Sequence, residues 1–143
     1  MRRAVYLPII RNNVYTFLEQ FDFPDPTMPT GSRQQTVVAP QALLMLNDEL
    51  VMDSADALAG RALRDYSQTN ERIEWVYRLA LGRQPEATEL SRAAVFIGRL
   101  SARFATPGIE HNSEQTGLKT AEQKAWSLFC QSLLASNEFI EID

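Results

Sequence analysis

The sequence predicts an all-α protein, an irregular bundle of five or six helices with a short extended N-terminal arm and a long proline-rich loop. Three observations predict this class. Apolar residues recur every three or four positions in most of the chain after residue 41, which is the spacing of one helix face. Capping residues and Gly or Pro stops bound these segments. No segment alternates apolar and polar residues as a half-buried strand does.

The first forty residues are predicted to form the arm, one short helix and the loop. Residues 4–10 are apolar and β-branched, which favours an extended segment. Asn12 and Asn13 are suitable caps for a short helix after them. Residues 22–40 are interrupted by proline and glycine, and a connection of roughly nineteen residues is well beyond the usual length and tends to be functional.

Residues 41–143 are predicted to form the helical bundle, and its first two helices meet at Asp48. Pro40 suits the first turn of a helix, where its missing N–H costs nothing, and Leu43, Leu46 and Leu50 follow on one face. Asp48 is predicted to cap the second helix. The apolar face of that helix comprises Val51, Ala55, Leu58, Ala62 and Tyr66.

Three more helices follow, each with an apolar face. The first carries Ile73, Val76, Tyr77, Ala80 and Leu81, and Gly82 with Pro85 ends it. The second carries Leu90, Ala93, Ala94, Ile97, Ser101 and Phe104, and a polar loop comes after it. Thr120 and Gln123 fit a capping box for the last helix. Its buried face is predicted to comprise Trp126, Phe129, Cys130, Leu133, Leu134 and Asn137.

Composition excludes several classes of protein. The net charge of −4 argues against general nucleic-acid binding, which needs a concentrated basic face. The arginines are scattered at helical spacing among carboxylates, a pattern typical of exposed helix faces. The single cysteine, Cys130, cannot form an internal disulfide, and without a Cys/His cluster we expect no zinc site and no covalent haem. No apolar run approaches the ~20 residues of a membrane span.

Several motifs resemble a family of planctomycete proteins of unknown function. They are Phe21-Asp22, Arg33, Thr36, Pro40-Gln41-Ala42-Leu43-x-x-Leu46-Asn47, Arg72-Ile73, Tyr77-Arg78-Leu79-Ala80-Leu81-Gly82-Arg83-x-Pro85, Ala125-Trp126, Leu134 and Ser136-Asn137-Glu138-Phe139. They occur in order over nearly the whole chain. One departure is Glu86, which is a poorer N-cap than the Thr or Asp common at that point.

The resemblance implies a place for this chain in a larger protein. In that family the region is the C-terminal domain of large multidomain proteins that often carry cytochrome-c-like domains near the N-terminus. We therefore expect residues 1–143 to be a single helical domain, a fragment of a longer exported, extracytoplasmic polypeptide. Any haem would belong to the parent protein, and no cofactor is expected in this chain.

The long loop holds the best candidates for a polar site. Asp22 and Asp25, with Arg33 downstream, could bind a cation or serve as acid and base. Equally, the aspartates are turn formers beside prolines. Arg33 could hold a loop carboxylate, bind an anionic ligand or contact upstream sequence. We assign no catalytic residue and no metal ligand, and we interpret His111 as a solvated loop residue.

Two further residues are candidates for a ligand site or an interface. Gln41 is an amide beside an apolar turn and is interpreted mainly as a structural contact to loop backbone, because a buried amide must be hydrogen-bonded. Trp75 lies off the apolar face of its helix. It could be a sugar platform or a docking surface, or it could pack on a neighbouring helix.

Three functional hypotheses follow. The first is a non-catalytic interaction or architectural module that contacts upstream domains of the same polypeptide or another protein. The second is a part of an active, metal or substrate site that upstream domains complete, with Asp22, Asp25 and Arg33 at the interface. The third is a carbohydrate-binding module that uses Trp75 to bind a polysaccharide.

Overall fold

A computed structural model describes residues 39–106 and 120–140 of the chain. About 85% of these residues are helical and they form no strand, which confirms the all-α prediction for this part of the protein. The helices are α1 (Ala39–Asn47), α2 (Glu49–Asp65), α3 (Thr69–Leu81), α4 (Ala87–Ala105), α5 (Ala121–Leu134) and α6 (Asn137–Ile140). The arm, the first short helix and the proline-rich loop predicted for residues 1–38 lie outside the described residues.

The chain forms two compact units, Met1–Leu43 and Leu44–Asp143. Of the first unit the structure describes only the beginning of α1. The second unit contains the end of α1 and the other five described helices. No described helix has the length and apolar character needed to cross a membrane.

The break between α1 and α2 occurs where the sequence predicts it. The Oδ1 atom of Asp48 accepts a hydrogen bond from the backbone N–H of Leu50 at 2.8 Å, so Asp48 caps α2. The buried face of α2 is rich in alanine and comprises Val51, Ala55, Leu58, Ala59 and Ala62. Small side chains let another helix approach the α2 backbone closely.

Helix α5 completes the core of the second unit. Its interfaces with α2 and with α4 are the two most extensive among the described helices. Trp126 and Cys130 are almost completely buried. The ring of Trp126 meets Phe129 edge-on at 5.8 Å between centroids, and Phe129 lies 6.4 Å from Tyr77 of α3. The apolar face predicted for α5 is therefore buried as far as Leu134.

Helix α5 also holds the end of α1. The side-chain amide of Gln131 donates a hydrogen bond to the backbone carbonyl of Leu46 at 2.8 Å. That carbonyl belongs to the last turn of α1, where backbone acceptors have no partner within the helix. The bond fixes the α1–α2 corner to the core.

Two predicted faces are wrong in detail. Leu43, Leu46 and Leu50 are 63%, 48% and 43% exposed, whereas Gln41 and Met45, one turn apart, form the buried face of α1. Leu50 does not share a face with Leu43 and Leu46, because the helix breaks at Asp48.

Asn137 is exposed, although it was predicted to lie on the buried face of the last helix. The reason is that α5 ends at Leu134 and Asn137 begins α6. At this end the hydroxyl of Ser136 donates to the carbonyl of Leu133 at 2.6 Å, and such local bonds compete with continuation of a helix.

Gly82 ends α3 in the left-handed conformation, with φ of 72°. We expect Gly82→Ala to lower the free energy of unfolding by about 1–2 kcal/mol, because a Cβ disfavours this conformation. The matched control is Gly98→Ala in the interior of α4. It is expected to raise the free energy of unfolding by about 0.5–1 kcal/mol, because alanine loses less conformational entropy than glycine when the chain folds. An added Cβ meets no atom within 4 Å at either position, so the backbone alone sets the difference. Urea unfolding measures the stability of both variants. A change of the same sign in the two variants would contradict the prediction.

Candidate functional site

Arg83 follows the left-handed turn at Gly82 and joins three segments of the chain. Its Nη1 and Nη2 atoms each donate to a carboxylate oxygen of Glu89 at 2.8 Å. Its Nε and Nη2 atoms donate to the two oxygens of Glu138 at 2.5 and 2.8 Å. Nη1 also donates to the carbonyl of Gln84 at 3.1 Å. All five N–H donors of the guanidinium are therefore engaged.

We call Arg83, Glu89 and Glu138 the Arg83 clamp. It ties the α3–α4 connection to the first turns of α4 and α6. The guanidinium also lies 5.6 Å from the centroid of Tyr77, a cation–π contact on the buried side. Since every donor of Arg83 is used within the protein, the clamp stabilises the fold and leaves no N–H for a bound anion.

Glu89 has a second role, in capping α4. One of its oxygens accepts a hydrogen bond from the backbone N–H of Glu86 at 2.7 Å, which is half of a capping box. The hydrogen bonds from Arg83, and then the one from the Glu86 backbone, lower the pKa of Glu89 to about 2. Arg83 also lowers the pKa of Glu138, and the carboxylates in turn raise the pKa of Arg83. Both carboxylates are thus charged at neutral pH.

The lowered pKa of Glu89 predicts a loss of stability in acid. Because its pKa is about 2 in the folded protein against an ordinary 4.5, its contribution is complete above pH 4.5 and declines as the pH falls towards 2. We expect Glu89→Gln to flatten this dependence, since the amide oxygen still accepts from the Glu86 backbone but carries no charge. Urea midpoints between neutral pH and the lowest pH at which the protein folds measure the slope. Glu71→Gln, at an exposed position on α3, is the control, and a wild-type slope in Glu89→Gln would contradict the prediction.

Arg72 forms a second arrangement, the Arg72 clamp, with Tyr66, Glu122 and Trp126. Its Nε atom donates to the backbone carbonyl of Tyr66 and its Nη1 atom to a carboxylate oxygen of Glu122, both at 2.8 Å. The guanidinium lies 5.8 Å from the ring centroid of Trp126. The Arg72 side chain is only 13% exposed. This clamp therefore links the start of α3 to the start of α5 over the core tryptophan.

The interpretation of all arginines as exposed helix faces is wrong for these two. Arg72 and Arg83 are partly buried, and their carboxylate partners lie on other elements of the fold. A local signal existed only for Arg83: it follows a glycine helix stop, and Glu89 comes six residues later in the first turn of the next helix. Glu122 and Glu138 are too distant in sequence for any helical spacing to indicate them.

Trp75 lies beside two other side chains on the outer part of the bundle. Its ring is 5.8 Å from that of Tyr66, tilted by 42°, and the guanidinium of Arg61 lies 5.2 Å from its centroid. The tryptophan is half-buried. Of the three interpretations of Trp75, packing on a neighbouring helix agrees with these contacts, and because part of the ring stays accessible the other two stay predictions.

The other predicted site residues are placed only in part. Gln41 is buried, as a structural amide requires. Asp22, Asp25, Arg33 and His111 lie outside the described residues, so the polar site in the loop stays a prediction. Among residues 39–106 and 120–140, no three His, Cys, Asp or Glu side chains come together as a metal-binding group.

Cys130 is fully buried, as predicted. Burial raises the pKa of its thiol to about 12, with a smaller contribution from Asp56. The nucleophilic species of cysteine is the thiolate, which such a pKa excludes at neutral pH. Cys130 is therefore a small apolar side chain of the core.

The described fold is a helical bundle whose sequence motifs meet in structural clamps. Arg72 pairs with Glu122 and Arg83 pairs with Glu138, so residues from the middle of the chain contact residues near its end. The Arg72 guanidinium also covers the core tryptophan, Trp126. This arrangement defines a class of protein, a helical module in which the polar motif residues maintain the fold.

The chain belongs to PSD1, a family of proteins of unknown function (DUF1553). The model of this family matches residues 1–97. The matched segment contains both clamp arginines and ends inside α4. The carboxylates that reach them from α5 and α6 lie beyond it. Comparison with curated proteins found no match, and comparison with solved structures found none.

Proposed function

We propose that this chain is a non-catalytic interaction or architectural module. The observation that carries the proposal is a set of large apolar side chains that remain exposed although the core is closed. Two groups stand out. The α2 face comprises Glu49, Leu50, Met52 and Asp53. The α4 face comprises Arg92, Val95, Phe96, Arg99 and Arg103.

The exposure of these side chains is substantial. Leu50 and Met52 are 43% and 42% exposed, and Val95 and Phe96 are 52% and 42% exposed. On each face two exposed apolar side chains flank a stripe of charged ones, and this mixture of apolar and charged groups suits a docking surface.

The setting we propose is a larger exported polypeptide. The membership in a family of unknown function supports a domain-level role, and the motif resemblance supports planctomycete multidomain proteins with cytochrome-c-like domains. In this setting the module contacts upstream domains of the same polypeptide, and any haem belongs to those domains.

Calorimetric titration of the chain with the upstream domains, expressed separately, tests the proposal. We expect association with a negative heat-capacity change, the sign of apolar burial. Replacing Leu50 and Met52, or Val95 and Phe96, by serine should weaken it at least about tenfold. Leu79→Ser is the control, because Leu79 is 52% exposed on α3, outside both faces. Absence of binding, or binding that none of these changes affects, would overturn the proposal, as would turnover by the chain alone.

A carbohydrate-binding role is a second candidate, favoured by the contact of Arg61 with the aromatic pair Trp75 and Tyr66. An aromatic ring beside a cation suits a sugar that carries an anionic group. The test is the fluorescence of Trp75 during titration with neutral and sulfated glycans. Trp126 is buried, so Trp126→Phe provides a background in which Trp75 is the remaining tryptophan. No response to either glycan class would reject this role.

A further inference from the structure

The α4 face combines two apolar side chains with a line of positive charge. Arg92, Arg99 and Arg103 are spaced seven and four residues apart, so they lie along one narrow stripe of the helix. Val95 and Phe96 flank the stripe on either side. Arg99 and Arg103 form no ion pair with any residue between 39 and 106 or 120 and 140. Like charges one turn apart repel, so an anionic group placed against this face would stabilise it.

The α2 face has the opposite charge and the same spacing. Glu49 and Asp53 are four residues apart and exposed, and neither forms an ion pair in the described part of the chain. Leu50 and Met52 accompany them. Each face thus carries two like charges one turn apart beside two exposed apolar side chains. Residues at this spacing are about 5–6 Å apart on any helix, so the two pairs of opposite charge can lie opposite each other when the two helices meet side by side.

We propose that the α4 face of one copy of this protein docks on the α2 face of a second copy. Arg99 and Arg103 then meet Glu49 and Asp53, while the exposed apolar side chains of each face lie against the other helix and leave water. The inference rests on the proposed interaction module and names its partner as the same chain. Because the two surfaces differ, a single contact is heterologous and the assembly grows head to tail. If both contacts form between the same two copies, they make an isologous twofold dimer instead.

The contact is expected to be weak and sensitive to salt. Each face offers only two apolar side chains, and both copies carry a net charge of −4, so long-range repulsion opposes the local attraction. Added salt screens exposed charge pairs. Sedimentation velocity on the full chain, at concentrations up to about 1 mM, should show reversible association that weakens as the ionic strength rises.

Charge reversal gives the decisive test. One variant carries Glu49→Arg and Asp53→Arg, and the other carries Arg99→Glu and Arg103→Glu. Each alone presents two faces of the same sign and should be monomeric. An equimolar mixture should associate again, because each reversed face meets a complementary one on the other variant. Arg78→Glu, at an exposed position on α3, is the control and should associate like the wild type.

The outcomes separate this inference from the proposed function. A wild type that is monomeric over the whole range overturns the self-contact, and so does a mixture of folded variants that stays monomeric. A monomer that still binds the upstream domains leaves the interaction module in place and assigns the α4 face to another partner. If a charge-reversal variant does not fold by circular dichroism, Val95→Ser with Phe96→Ser replaces it and should also abolish association.

Discussion

Replacing Trp126 by alanine is expected to lower the free energy of unfolding by about 3–5 kcal/mol, the range for a buried tryptophan. Trp126 is 1% exposed and lies on α5 between the Phe129 ring and the Arg72 guanidinium. Its removal costs the transfer of a large apolar surface and leaves a cavity lined by side chains that α2 and α4 hold in place. Urea unfolding followed by far-ultraviolet circular dichroism measures the change.

The control for this prediction is on the same helix. Leu128 is 40% exposed and two residues from Trp126, so Leu128→Ala should change the free energy of unfolding by no more than about 0.5 kcal/mol. A comparable loss in both variants would mean that the cost arises from α5 itself. In that case the centre of the core would not lie at Trp126.

Replacing Arg72 by methionine is expected to have the second large effect. It should lower the free energy of unfolding by about 1.5–3 kcal/mol, the range for hydrogen bonds to charged groups. Methionine retains much of the apolar length of the arginine side chain, so the loss reports the polar part of the Arg72 clamp. The carbonyl of Tyr66 loses its donor, and Trp126 loses the cation above its ring. Glu122 is 56% exposed and is rehydrated at little cost, so most of the effect arises on the inner side of the clamp.

Arg78→Met is the matched control for this change. Arg78 is on the same helix, is exposed and forms no ion pair with a described residue, so its replacement should alter stability by at most about 0.5 kcal/mol. Chemical denaturation of the two variants under identical conditions gives the comparison. Equal effects would show that Arg72 contributes through helix propensity and not through the clamp.

The features that sequence predicts best are those that depend on neighbouring residues. Asp48 caps α2, Thr120 accepts a hydrogen bond from the backbone of Gln123, and Gly82 adopts the left-handed stop, all as the local pattern indicates. Caps and stops satisfy backbone groups within one turn, so the residues that matter are close together in the chain. The same holds for the buried faces of α2, α3 and α5.

The clamps are a different case, because their partners come from distant segments. Arg83 and Glu138 are 55 residues apart, and Arg72 and Glu122 are 50 apart. A charged residue on a helix is exposed by default, and only the tertiary packing brings these pairs together. The fold brings the motifs at Gly82-Arg83 and Asn137-Glu138 into direct contact.

Errors about exposed leucines have another origin. Leu43, Leu46 and Leu50 satisfy a helical period, but a period shows which residues share a direction only while the helix continues. The break at Asp48 separates Leu50 from the other two leucines, and within α1 the buried residues are Gln41 and Met45. A helical period does not by itself decide which face of a helix packs on the core. For the candidate site, the sequence drew attention to Gln41, which is buried, and to Trp75, which is half-buried, and of the two clamps it indicated only the pairing of Arg83 with Glu89.

The position of α5 between α2 and α4 has a consequence for biosynthesis. Both neighbours precede α5 in the chain, and the ribosome adds residues at only about 5–20 per second. For several seconds the nascent protein therefore carries α2 and α4 with the surfaces that α5 will cover still open to water. The core closes only after Leu134 has been made, and the Arg83 clamp later still, with Glu138. Folding of this unit thus follows translation of α5, and during that interval the nascent chain exposes apolar surface of the kind that promotes aggregation.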